Sequence, residues 1–104
     1  MKRMNCKLDG KSLTVRAFSV EHEDGMLSLR MECVTEGGDA YQAIFQNASL
    51  ISMVKVSYPF QICGFEIIDK QEDGYQKENR YFVNDYEDGT VSFYCEPFEI
   101  YEAF

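Results

Sequence analysis

Four cysteines, one histidine and eighteen acidic side chains are the groups of this chain that could carry chemistry. Cys6, Cys33, Cys63 and Cys95 stand 27, 30 and 32 residues apart, and none forms the close Cys pair on a turn that a structural zinc site uses. Cys33 continues the alternation Leu27, Leu29, Met31, and Cys95 continues Val91, Phe93, so both take the apolar phase of a strand. The expectation is four reduced thiols, no metal and no cofactor. His22 sits in Glu21-His22-Glu23-Asp24 beside a turn, where solvent and carboxylates are its surroundings, and no serine carries a nucleophile elbow.

Glu-Asp-Gly occurs three times, ending at Gly25, Gly74 and Gly89, and invites a calcium-loop reading. An EF-hand loop needs Gly at position 6 and a bidentate Glu at position 12. With Gly89 in the first role Cys95 takes the second, and with Gly74 it is Arg80. The acids read instead as turn formers and solubilisers. Carboxylate pairs are too abundant for any one to be singled out as an acid/base couple. Gly37-Gly38 lacks the lysine of a phosphate loop. The chain is expected not to be an enzyme.

The elements that would position these groups are strands. Asp-Gly, which supplies the positive φ of tight hairpins, recurs at Asp9-Gly10, Asp24-Gly25, Asp73-Gly74 and Asp88-Gly89. Around these turns, period-2 patterns predict strands over 4–8, 12–21, 26–35, 41–46, 50–58, 60–69, 80–84, 90–96 and 98–103. Within 12–21 the apolar phase passes from Leu13, Val15 and Ala17 to Phe18 and Val20, and within 60–69 from Phe60 and Ile62 to Phe65 and Ile67. Each switch predicts a bulge, the second at Gly64. Pro59 and Pro97 suit strand starts or bends. The segment 40–52 carries a competing pattern: Asp39 with Gln42 resembles a helix cap, and Ile44, Ala48 and Ile51 have helical spacing. Alternation of Tyr41, Ala43 and Phe45 favours strands there.

A chain of 104 residues, 45% hydrophobic and 27% charged, has the size and composition of one folded domain, 1–104. The expected class is mainly β: a single antiparallel β-sandwich or strongly curved sheet, with α+β carrying one short helix near 40–52 as the alternative. The predicted core is Leu13, Val15, Leu27, Leu29, Met31, Phe45, Val54, Val56, Ile62, Phe65, Ile67, Phe82, Val91, Phe93, Phe98 and Ile100. The basic N-terminus lacks the apolar run of a signal peptide, and no stretch approaches the roughly 20 apolar residues that span a bilayer. A cytoplasmic protein is expected.

Charge is the most informative remaining feature. The first 20 residues sum to +4 and the other 84 to −12, for a net −8. Between Asn84 and Phe104 stand Asp85, Glu87, Asp88, Glu96, Glu99 and Glu102, with no Lys or Arg. This field repels phosphate, so neither nucleic acid nor membrane is an expected partner. Taking Asn84 to Phe104 as one terminal hairpin, Phe98 and Ile100 face one side while Glu99 and Tyr101 face the other. A positively charged protein partner would then meet Tyr86, Glu87, Asp88, Glu99, Tyr101 and Glu102. The functional expectation is a small acidic protein-binding domain, an immunity-type inhibitor or adaptor for a basic protein. The alternatives are a structural β-domain that self-associates into a homo-oligomer and, third, a carbohydrate-binding β-domain.

Overall fold

The structure, a computed structural model, describes residues 2–4, 6–53, 59–70 and 80–102. Ten strands follow in order: β1 (Lys2–Arg3), β2 (Leu13–Glu23), β3 (Met26–Thr35), β4 (Ala40–Phe45), β5 (Ser49–Met53), β6 (Phe60–Ile62), β7 (Phe65–Asp69), β8 (Tyr81–Asp85), β9 (Val91–Cys95) and β10 (Phe98–Glu102). They form two five-stranded antiparallel sheets, ordered β1-β7-β8-β9-β5 and β10-β4-β3-β2-β6. The packed pair is a β-sandwich. No helix among the described residues is long and apolar enough to cross a membrane.

The core lies where the inner phases of the two sheets meet. Leu13, Val15, Leu29, Met31, Phe45 and Ile62 come from one sheet, and Phe65, Ile67, Val83, Val91 and Phe93 from the other; all are buried. Phe45 and Phe93 meet edge to face across the interface with ring centroids 4.9 Å apart, and Tyr81 meets Phe98 likewise at 5.0 Å. Such pairs add to the burial energy because the positive ring edge meets the negative face.

The bulge expected in 12–21 falls between Val15 and Ala17, where the register against β3 shifts. It turns Ala17 outward and brings Phe18 onto the same inner side as Leu13 and Val15, so Phe18 reaches Phe60 at 6.3 Å. The β2–β3 hairpin closes on Asp24 and Gly25, both at positive φ (52° and 80°), the pairing that fits the twist of the flanking strands.

Several expectations are corrected. Over 40–52 the favoured strands are present and the alternative helix is not: β4 and β5 occupy the segment, with Tyr41, Ala43 and Phe45 buried on alternate positions. Asp39 closes the β3–β4 hairpin instead, its carbonyl accepting from the Thr35 amide at 2.9 Å. The strand expected over 4–8 is replaced by a turn over 7–10, which plugs the sandwich with the fully buried Leu8. Met4 and Cys6 pack on the core beside Leu8, and the Met4 amide donates to the Ile67 carbonyl of β7 at 2.7 Å.

The strand expected over 60–69 is two strands in different sheets, broken at Cys63-Gly64. Phe82 is not core: the inward phase of β8 is Tyr81, Val83 and Asp85, so Phe82 lies outside, its ring tilted against Tyr94 with centroids 4.9 Å apart. Three consecutive apolar residues, Tyr81-Phe82-Val83, leave the phase of a strand ambiguous. Leu27, Phe98 and Ile100 are half-buried, and Val54 and Val56 lie outside the described residues.

Candidate functional site

The acidic C-terminal stretch is not one hairpin. β8 pairs with β9, but β10 leaves that sheet and pairs with β4 at the end of the other. From there Phe98 packs on Phe45 of the neighbouring β4 and on Tyr81 of the facing sheet. Glu96 and Pro97 carry the chain across. There the Gln46 amide donates to the Pro97 carbonyl at 3.0 Å and the Glu96 amide to the Gln46 carbonyl at 2.9 Å, tying this crossing to the one between β4 and β5. The Asn47 side-chain amide donates to the Glu96 carboxylate.

The expected contact residues are therefore divided. Tyr86, Glu87 and Asp88 sit in the β8–β9 turn, whereas Glu99, Tyr101 and Glu102 sit on β10. The turn is organised by Asp85, which is buried (1% exposed) and accepts from the amides of Gly64, Glu87 and Asp88 through Oδ1 and of Thr90 through Oδ2, at 3.1 to 3.3 Å. Burial alone would raise this carboxyl, but the hydrogen bonds from Asp88, Gly64 and Thr90 outweigh it and hold it below the ordinary value. The Tyr86 amide donates to the Gly64 carbonyl at 2.9 Å. Its ring covers Gly64 so closely that a Cβ there would lie 2.7 Å from Cζ. Asp88 hydrogen-bonds the Cys63 thiol and, with burial and the neighbouring acids, pushes it up to about 11. Asp85, the Asp88 carboxylate and the backbone amides of this turn serve the fold, while Tyr86, Glu87 and Asp88 remain exposed.

On β10, Glu99 and Tyr101 face outward, as the alternation required, and both are exposed. Glu102 is exposed too, but it belongs to the opposite phase, across from the buried Tyr41. Cross-strand register sets Glu99 beside Ile44 and then Arg30 and Ser19 on the outer face, with Tyr101, Gln42, Glu32 and Ala17 in the adjoining row.

Next to these rows the same sheet opens into a cleft of about 560 Å³ at the end that holds the β2–β3 hairpin turn and the two crossings. Glu21, Asp24 and Glu96 line it against a single guanidinium, Arg30, with Met26 and Ile44 as apolar floor. Arg30 stands 3.9 Å from Glu21 in an exposed ion pair, which contributes little to stability. This arrangement can receive a cationic side chain with an apolar stem; it has no nucleophile and base in contact. Among the described residues no three His, Cys, Asp or Glu side chains group as a metal would require.

The sequence reading missed Glu21, Asp24, Arg30 and Glu96. The outward phase of Glu21 and Arg30 was legible, but the convergence of the four depends on which strands are neighbours. The four cysteines are free, with Cys33 and Cys95 buried as expected. Fold and surface together define a small all-β sandwich with an acidic outer face. Searches of family models, curated proteins and solved structures return no match to the chain.

Proposed function

We propose that this chain is a binding module for a positively charged protein, engaged through the outer face of the β10-β4-β3-β2 sheet. The observation that carries the reading is the cleft that Glu21, Asp24 and Glu96 line together with one arginine, on the sheet whose outer rows hold Glu99 and Tyr101. A basic side chain entering it replaces like-charge repulsion with attraction, and the field of a molecule with net charge −8 steers the encounter. Four free thiols suit a reducing compartment such as the cytoplasm. A second reading, self-association without a foreign partner, draws on the position of β10 as the end strand of its sheet among the described residues.

The test compares proteins captured from a host lysate by wild type, by a Glu21→Lys/Glu99→Lys variant of the sheet face and by a Glu87→Lys variant of the turn, over rising salt. The expected result is a set of basic proteins, released by salt, lost by the sheet-face variant and kept by the turn variant. Capture of the same set by all three with one salt dependence would overturn the reading, and a dimer in sedimentation at working concentration would favour the second.

A further inference from the structure

We propose that the partner is bound by strand addition: an extended segment alternating basic and apolar residues pairs antiparallel with the open edge of β10. This rests on the reading of the chain as a binder of basic proteins and adds the mode of recognition. The hydrogen bond from the Gln46 amide to the Pro97 carbonyl, at 3.0 Å, fixes the phase of the β10–β4 ladder. Bonded pairs alternate with unbonded ones along an antiparallel ladder, so Ile44 with Glu99 and Gln42 with Tyr101 are the bonded pairs that follow. The backbone N–H and C=O groups of Phe98, Ile100 and Glu102 therefore point away from β4, and among the described residues no strand lies beyond them.

Edges of this kind are usually blunted by lysine, by an internal proline or by a bulge. β10 has none of these: its five residues pair with β4 without a register shift, and Pro97 stands just before them. Its two charges are Glu99 and Glu102, both negative. A second copy brings the same β10 and another net −8, whereas a cationic segment is attracted. An added strand sets its residues directly opposite those of β10, with side chains on matching faces. Residues opposite Phe98 and Ile100 must be apolar to continue the inner side, and those opposite Glu99 and Tyr101 are lysine or arginine. The tyrosine ring lies where it can cover a cation or its alkyl stem.

The probe is a short end-capped peptide alternating valine and lysine, compared with the same peptide N-methylated at every valine, which keeps the charge and removes the amides that would face β10. Binding is read by fluorescence anisotropy, and exchange of the Ile100 amide by NMR. The expected result is that methylation weakens binding about tenfold or more, and that the unmethylated peptide slows Ile100 amide exchange. Ile100→Pro should weaken binding similarly, since its N–H takes no part in the β4 ladder; because Ile100 packs on the core, Glu102→Pro at an exposed position gives the same test without that packing, with Glu102→Gln controlling for charge. Equal binding of both peptides would overturn strand addition and leave the acidic-face reading standing. Binding of neither peptide would overturn both, and a dimer abolished by Glu102→Pro would assign the edge to a second copy instead.

Discussion

The β8–β9 turn and the β10 edge carry nearly the same residues, two or three acids and a tyrosine each, and use them in opposite ways. In the turn, Asp85 gathers four backbone amides, Asp88 holds the Cys63 thiol, and the Tyr86 ring roofs Gly64. On β10, Glu99 and Tyr101 face solvent and every second backbone group points off the sheet. Tyr86, Glu87 and Asp88 are exposed as well, so the difference is that the turn's groups are also engaged by the fold. What separates the two regions is whether a loop curls back on its own carboxylates or a strand ends a sheet.

The sharpest way to break the comparison is at Asp85. Asp85→Ala leaves amides of the turn without their acceptor, and the expected loss is about 3 kcal/mol in urea unfolding, with affinity of the folded protein for a basic peptide unchanged. A loss of affinity without loss of stability would mean that the turn, too, is a binding surface. The pH dependence follows from the same group. Its folded carboxyl titrates below its unfolded one, so its contribution is complete above the ordinary carboxylate range and falls away as pH drops through the folded value. Urea midpoints of wild type should therefore decline on acidification more steeply than those of Asp85→Asn.

A smaller effect is expected at Gly64→Ala, whose new methyl would collide with the Tyr86 ring. The expected cost is about 1–2 kcal/mol, and it should shrink in a Tyr86→Ala background, because the three atoms nearest the new methyl all belong to that ring. Glu99→Lys, by contrast, should change stability by no more than about 0.5 kcal/mol while weakening the basic peptide, which is the signature of an acid that serves a surface. The least change is expected at the thiols. Burial pushes Cys33 up to about 11 and Cys95 up to about 12, so both should resist alkylation at neutral pH in the native protein, and all four thiols should titrate once it is unfolded without reductant.

Much of the sandwich was legible from residue order. The period-2 patterns placed β3 at its observed bounds and most other strands within two residues, and the phase change read between Ala17 and Phe18 foretold a bulge, which lies slightly earlier, between Val15 and Ala17. Side-chain alternation is a local property of extended chain, so sequence alone determined which residues of β3, β4, β9 and β10 face inward. Which sheet each strand joins is not local. The run 60–69 looks like one strand because nothing in it records that the chain turns a corner at Gly64, whose small size is demanded by Tyr86, twenty-two residues away, rather than by its own backbone angles. The break between β9 and β10 is of the same kind: Phe98 lies beside Phe45 of β4 and meets Tyr81 across the interface, and the six acids that are neighbours in sequence are parted. Composition determined the sign of the surface. Only the packing of two sheets decided where Glu21, Asp24 and Glu96 converge and which edge is left open, because convergence and exposure are set by contacts between strands that no single strand encodes.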